Sequence, residues 1–543
     1  MTNVRAQKPN SNWHIAKFSF LNLPFPLWFL PFALCILYAR HGYVFGSSDQ
    51  SETLPYVLWL NNHNLYPSDF FLQSIIQKPF NERLFFVEFI RLFSGNLSYG
   101  VFILHVICTI GLVCGIYIYA RNQFKSFSAT WFAILFSFFF LYGINTGASE
   151  LYDNTLNPSY ITNVLIVWVF ILVSIRRIFL ATALLVVATL FQPLIGILIA
   201  LIIFSSELLK LVDSYELLTL RFKPHLRTVL KAQGSKLIAS FIFYASTAGI
   251  FIYSLLYQIS TPTETKFIFQ IIELRANHHY FPHSFSLLGY IFMIICVVAV
   301  YTYGSTNEKI WTFFIVAGCV VYAFGVYVLK SSLILNTQFF RITMWVKLWG
   351  TLLIMRQVLD YLSPRFRFVK YFLDDTIFKR SVFALGIFSA LVIIPLARNY
   401  KSSYYMFPFL NYTDAVIEIS RHAKKTTPND ALFITPTSFD AFRFYSERSN
   451  FIDFKATLHE NAYYKTWYNR IQSVYGLSLD QKEKGFKLVP IANNNFNALS
   501  DSTLTQICGQ NKIGYVIRDN AHPIHLGFTK IDSTAVYSIY KFQ

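Results

Sequence analysis

The sequence predicts an α-helical polytopic membrane protein of about eleven spans with a small C-terminal extracytoplasmic α/β domain. Three observations predict it. Of 543 residues, 54% are hydrophobic, 18% aromatic and only 14% charged, against roughly 25% charged in soluble domains. Apolar runs approaching the roughly 20 residues that cross a bilayer recur near 20–39, 100–120, 128–143, 160–175, 178–190, 194–207, 237–258, 287–303, 309–329, 340–357 and 381–397. Beyond residue 399 the pattern stops, and residues 400–543 carry 16 of the 46 basic and 12 of the 28 acidic residues.

The first run starts well inside the chain, is interrupted by Pro24, Pro26 and Pro31, and is not followed by a small-residue cleavage site. It therefore reads as a retained span and not a signal peptide. Spans five and six are short and flank Gln192-Pro193. Whether they are two crossings or one re-entrant hairpin, the chain returns to the same side. With the N-terminus inside, the cytoplasmic segments hold 20 Lys and Arg and the opposite loops 8, so the positive-inside rule places the N-terminus in the cytoplasm and the C-terminal domain outside. The same asymmetry accounts for the net charge of +18 without a nucleic-acid partner, and phosphate-loop and dinucleotide fingerprints are missing. Of six cysteines, Cys35, Cys108, Cys114, Cys296 and Cys319 lie in apolar runs, which excludes a disulfide framework.

In residues 400–543 the runs Ala431–Ile434, Ile513–Ile517 and Val536–Tyr540 read as strands bounded by Pro, Asp and Gly. About 140 residues are enough to bury their own core. The domains expected are therefore a transmembrane domain, 1–399, with a long first outside loop, 40–99, and a soluble domain, 400–543.

The candidate chemistry lies on the outside. Loop 40–99 contains Gly46-Ser47-Ser48-Asp49-Gln50-Ser51-Glu52. If a helix begins at Ser48, Asp49 and Glu52 share its first turn, either as reactive carboxylates or with Ser48 or Asp49 as the N-cap. Asp69 follows the turn sequence Tyr66-Pro67-Ser68, where it can bind substrate or its own backbone. Residues 82–93 are amphipathic, suited to the membrane interface. Between spans seven and eight, Arg275, His278, His279, Tyr280 and His283 cluster; adjacent histidines lack the i, i+4 spacing of a helical metal pair, so an anionic head group suits the segment better than a metal. Arg341, at the outer end of span ten, can snorkel or face substrate. In the C-terminal domain, Arg448 and Lys455 lie in the charged stretch Phe442–Lys455.

This order of features resembles the GT-C class of membrane glycosyltransferases. Within it, Gly46–Gln50, Arg275–Tyr280 and Phe442–Lys455 are similar to segments of a group of poorly characterised bacterial membrane proteins. The resemblance implies a bacterial inner-membrane enzyme that moves a sugar from a polyprenyl-phosphate-linked donor to an acceptor at the outer, periplasmic face, with inversion. It gives the loop carboxylate, here Asp49, the role of general base or acceptor-positioning group, with Glu52 as a second acid. Asp69, Arg275, His278, His279, Tyr280, Arg341, Arg448 and Lys455 then bind substrate. Asp49 lacks the adjacent second acid of the commonest pattern. Some members of the class use a divalent metal ion, and this sequence presents no clear ligand set. The partners implied are the lipid-linked donor, membrane lipids and, through the C-terminal domain, another protein. A transporter or flippase of a lipid-linked or anionic substrate is the competing reading, although the two repeated halves common in transporters are missing. A non-enzymatic membrane subunit is the third.

Overall fold

The structure, a computed structural model, describes residues 29–78, 81–124, 126–219, 224–257, 262–399, 405–410, 412–458 and 460–543. Seventeen helices come first: α1 (Phe29–His41), α2 (Gln50–Asn61), α3 (Phe70–Ile76), α4 (Leu84–Arg91), α5 (Leu97–Arg121), α6 (Phe127–Phe140), α7 (Pro158–Ser174), α8 (Ile178–Phe191), α9 (Pro193–Thr219), α10 (Pro224–Tyr257), α11 (Pro262–Tyr280), α12 (Leu287–Tyr303), α13 (Thr306–Tyr327), α14 (Ser332–Asn336), α15 (Thr343–Leu362), α16 (Arg367–Phe372) and α17 (Asp375–Asn399). Their starts follow local chemistry. Asn96, Ser126 and Asn157 accept hydrogen bonds from backbone N–H groups in the first turns of α5, α6 and α7, with Pro158 at the first position of α7, where its missing N–H costs nothing. Ser305 and Glu308 form a reciprocal capping box on α13.

The apolar runs fall on helices, as a helical membrane protein requires, although residues 20–28 of the first and residue 258 of the seventh lie outside the described residues. Among the described residues three helices are long and apolar enough to cross a membrane: Ser94–Arg121, Pro193–Val212 and Thr306–Tyr327. The helices α1, α6, α7, α8 and α12 are apolar but shorter. At about 1.5 Å per residue, the 14 residues of α6 and of α8 reach only about 21 Å, short of a roughly 30 Å hydrocarbon core. The run lengths in the sequence thus overstate how many helices meet that length on their own. Segment 82–93 forms α4, which buries Phe86, Val87 and Ile90.

Aromatic packing builds the core between helices. Phe170 of α7 stands 5.1 Å from Trp345 and from Trp349 of α15, and Trp311 of α13 stands 5.4 Å from Trp349, distances at which rings add to area burial.

The C-terminal domain runs α18 (Ala415–Thr426), β1 (Leu432–Ile434), α19 (Phe442–Ser446), β2 (Ser449–Asn450), α20 (Asn461–Tyr475), α21 (Leu488–Asn497), α22 (Asp501–Asn511), β3 (Tyr515–Asp519), β4 (Phe528–Ser533) and β5 (Tyr537–Phe542). Its five strands lie in the order β2-β1-β3-β5-β4. The β1 strand pairs in parallel with β2 and β3, while β3–β5 and β4–β5 are antiparallel. The three strand-like runs became β1, β3 and β5; β2 is too short, and β4 too polar, for an apolar run to mark.

Candidate functional site

The site is assembled where the loop between α1 and α2 meets the C-terminal domain. Loop 42–49 is clamped on two sides. Val44 N–H donates to the Asn154 carbonyl at 2.9 Å, and Gln50 donates to the Leu156 carbonyl at 3.0 Å. On the other side Ser48 N–H donates to Asp440 at 2.9 Å. Gly46 has φ +77, and a Cβ there would stand 2.9 Å from the Tyr445 ring, so only glycine lets the loop lie this close to α19. Ser48 also adopts positive φ, +56, a strained conformation for a residue with a side chain that the Asp440 contact holds.

The helix starts at Gln50, not Ser48. Asp49 occupies the N-cap position, but its backbone is already helical and its side chain caps nothing. Its side chain is 60% exposed, with Lys455 Nζ 3.4 Å from one carboxylate oxygen and Asn157 Nδ2 3.4 Å from the other. Lys455 Nζ also donates to Ser48 Oγ at 3.1 Å. The surrounding protein opposes ionisation of Asp49, but the cations Lys455 and Arg341 outweigh it and hold the carboxyl below its ordinary range. It stays charged at neutral pH.

Asp153, which sequence reasoning did not single out, is the second carboxyl of the site. Asn157 Nδ2 reaches it at 2.6 Å and so links it to Asp49. Burial, then the Asp49 charge, pushes its pKa to about 6 against hydrogen bonds from Thr155 and Asn157. Beneath it, His105 Nε2 donates to the Asp153 carbonyl at 2.8 Å while Nδ1 accepts from Tyr38 OH at 2.8 Å, tying the loop to α1 and α5. A signal existed in the sequence: Glu150 and Asp153 stand in the connection 144–157, which holds no basic residue.

Because this folded-state pKa is raised above the ordinary carboxyl value, the folded protein binds the proton more tightly. The site therefore destabilises the fold above about pH 6, and the penalty fades as pH falls toward about 4. Asp153→Asn is expected to stabilise the fold at about pH 8 by up to about 3 kcal/mol, read as a higher thermal unfolding midpoint, with the gain gone near pH 4. Unfolding curves at both pH values check this, and a variant less stable than wild type at about pH 8 refutes it.

Arg341 lies in the 3₁₀ turn Phe339–Ile342 before α15. Its guanidinium donates to Ser149 Oγ at 2.9 Å and to Gln338 Oε1 at 3.2 Å, and Gln338 in turn donates to Tyr280 OH at 2.7 Å. Gly147, with φ +77, lets the 144–157 loop touch this turn, since a Cβ would stand 2.7 Å from the Phe340 carbonyl carbon. His279 Nδ1 donates to the Gly147 carbonyl at 3.4 Å. Burial, Arg341 and His278 push His279 well below its ordinary pKa, leaving it neutral with Nε2 as an acceptor. Burial, then Arg275 and Arg341, lowers His278 to about 4; its ring lies 5.1 Å from Phe486 of the C-terminal domain.

The structure thus pairs Asp49 with Lys455 and sets His279 and Arg341 within electrostatic reach of it, with His278 against the His279 ring and Tyr280 bonded to Gln338. The expected second acid, Glu52, and the remaining expected substrate contacts have structural partners. Glu52 is held by Arg83 at 2.5 Å. Asp69 is fully buried, caps α3 through Leu72 N–H at 3.0 Å, and pairs with Arg443 at 2.7 Å, so its turn position led to a cap and a domain contact. Arg275 donates to the Phe454 carbonyl at 3.2 Å and to that of Lys455. Arg448 is 3% exposed and donates to the carbonyls of Lys424 and Thr427, each at 2.7 Å.

Among the described residues no three His, Cys, Asp or Glu side chains converge to hold a metal ion, and the carboxylate faces an ammonium and an amide. All six cysteines are free.

Residues 414–474, which carry Arg443, Asp453 and Lys455, match a domain of unknown function, DUF6798. No curated protein matches the chain. Among solved structures, the chain is similar to the crystal structure of the Archaeoglobus fulgidus oligosaccharyltransferase in complex with Zn and sulfate, at 12% identity and a TM-score of 0.43, over 90% of this chain and 67% of that one.

Proposed function

We propose that the protein transfers a sugar from a polyprenyl-phosphate-linked donor to an acceptor hydroxyl, with inversion, at the membrane face opposite the cytoplasm. The observation that carries this reading is the Asp49 carboxylate, which is charged, unused as a cap, open to a ligand, paired with Lys455 and within electrostatic reach of Arg341. In this reaction the acceptor oxygen attacks the anomeric carbon. The new C–O bond forms as the bond to the donor phosphate oxygen breaks, its electron pair leaves on the phosphate, and the acceptor proton passes to Asp49. Arg341, its guanidinium fixed by Ser149 and Gln338, stabilises the departing phosphate charge.

A small apolar pocket adjoins the site through Glu150 and Leu151. Its walls include Ile116, Ile134, Phe138, Leu348 and Leu352, with Glu150 and Lys347 at its polar part, paired at 2.9 Å. Purified protein in liposomes with a polyprenyl-phosphate sugar is expected to release polyprenyl phosphate and glycosylated acceptor. Movement of an uncleaved donor across the bilayer would replace transfer with transport.

The sidedness rests on the 20 to 8 distribution of basic residues between the two sets of loops. Reporters fused after residue 399 are expected to be active on the far side; activity confined to the cytoplasm overturns the orientation.

A further inference from the structure

Lys455 is placed with more care than a surface ion pair needs. Its backbone N–H donates to Asp453 Oδ1 at 2.6 Å, and its carbonyl and that of Phe454 both accept from Arg275. The Asp453 carbonyl accepts from Trp467 Nε1 at 2.8 Å, and Asp453 itself pairs with buried Arg443 at 2.6 Å. Tyr463 OH donates to the Ala456 carbonyl at 3.1 Å. The segment 453–456 is thus fixed on every side, and the only long flexible group it sends toward Asp49 is the Lys455 ammonium. That group has three donors; Asp49 at 3.4 Å and Ser48 Oγ at 3.1 Å account for two, which leaves one N–H to offer a ligand.

A carboxylate beside a phosphate ester needs a cation between them, because two anions repel strongly where protein surrounds them. Among the described residues no cluster of three His, Cys, Asp or Glu side chains is available to a metal ion. We infer that the Lys455 ammonium, delivered by the C-terminal domain, is the fixed cation of the Asp49 site and contacts the donor phosphate in the place a divalent ion would otherwise take. This rests on the transferase reading for its substrate, and it makes the C-terminal domain a part of the active site.

The test uses the full-length protein in detergent, a short-chain polyprenyl phosphate, and Mn²⁺ as metal probe. Lys455→Gln keeps the length and removes the charge. It is expected to weaken polyprenyl-phosphate binding about tenfold or more, the loss of one charge-assisted hydrogen bond. It is also expected to create a Mn²⁺-dependent rise in unfolding midpoint that wild type lacks and that the Asp49→Asn, Lys455→Gln double variant loses. Lys455→Arg, which keeps the charge, is expected to behave as wild type toward Mn²⁺ and serves as the folding control. Unchanged phosphate affinity in Lys455→Gln, or a wild-type midpoint that Mn²⁺ raises and Asp49→Asn abolishes, overturns the inference. Both readouts are binding measurements, so they decide it even if wild type transfers no sugar. Transfer by wild type without either effect refutes the lysine's role alone.

Discussion

Asp49→Asn is expected to lower sugar transfer by about a hundred-fold or more while leaving the protein folded and inserted. The magnitude is that of losing a general base. Two structural facts keep the fold out of the effect. The Asp49 side chain caps no helix, so the change removes no cap, and Asn would be a comparable cap in any case. The side chain is also largely exposed, with only the 3.4 Å contacts to Lys455 and Asn157, and an exposed ion pair is worth about 1 kcal/mol or less. Turnover per folded molecule, measured beside the unfolding midpoint, separates the two roles. Near-normal turnover would move the base to Asp153, the neighbouring carboxyl with a pKa near 6, because Glu52 is committed to Arg83.

How much of this was legible in the sequence depended on the range of the interaction. The helices could be read because hydropathy is local: the apolar runs coincide with helices, and Asn157-Pro158 marks the start of α7. Span count was less legible, since a run such as 128–143 says nothing about where its helix stops, and α6 ends at Phe140. In the C-terminal domain, β4 carries Lys530 and Asp532 among its six residues and shows no apolar run, yet pairing with β5 makes it a strand. Asp49, His279, Arg341 and Lys455 stood out as ionisable groups on one side of the chain. What no local pattern could assign was which neighbouring charge is spoken for. Asp69 and Arg443 are 374 positions apart, and nothing near Asp69 signals that an arginine from another domain will bury it. Asp153 was missed for the converse reason, because its importance comes from Asn157 linking it to Asp49 across the fold.

That long-range pair makes the second large prediction. Arg443 is 2% exposed and donates to Asp69 at 2.7 Å and to Asp453 at 2.6 Å, while its carbonyl accepts from Tyr66 OH at 2.9 Å. The remaining capacity of Asp69 is filled by Asn450 N–H at 2.8 Å and Leu72 N–H at 3.0 Å, so both of its oxygens are occupied. Arg443→Met keeps the apolar stem and leaves two buried carboxylates without their cation, a loss of about 3–5 kcal/mol for a broken buried pair. The variant is expected to unfold at lower temperature and to be cut by protease within residues 400–543 under conditions where wild type resists. The orphaned carboxyls would have raised folded-state pKa values, so the defect is largest at neutral and higher pH and shrinks as pH falls and they take up protons. Transfer should fall as well, because Asp453 fixes the backbone N–H of Lys455 at 2.6 Å, and a loosened 453–456 segment no longer holds the ammonium beside Asp49. If Arg443→Met matches wild type in unfolding midpoint and protease pattern across this pH range, the network does not dock the domain. Loss of transfer without loss of stability would instead place Arg443 in the chemistry, despite its burial.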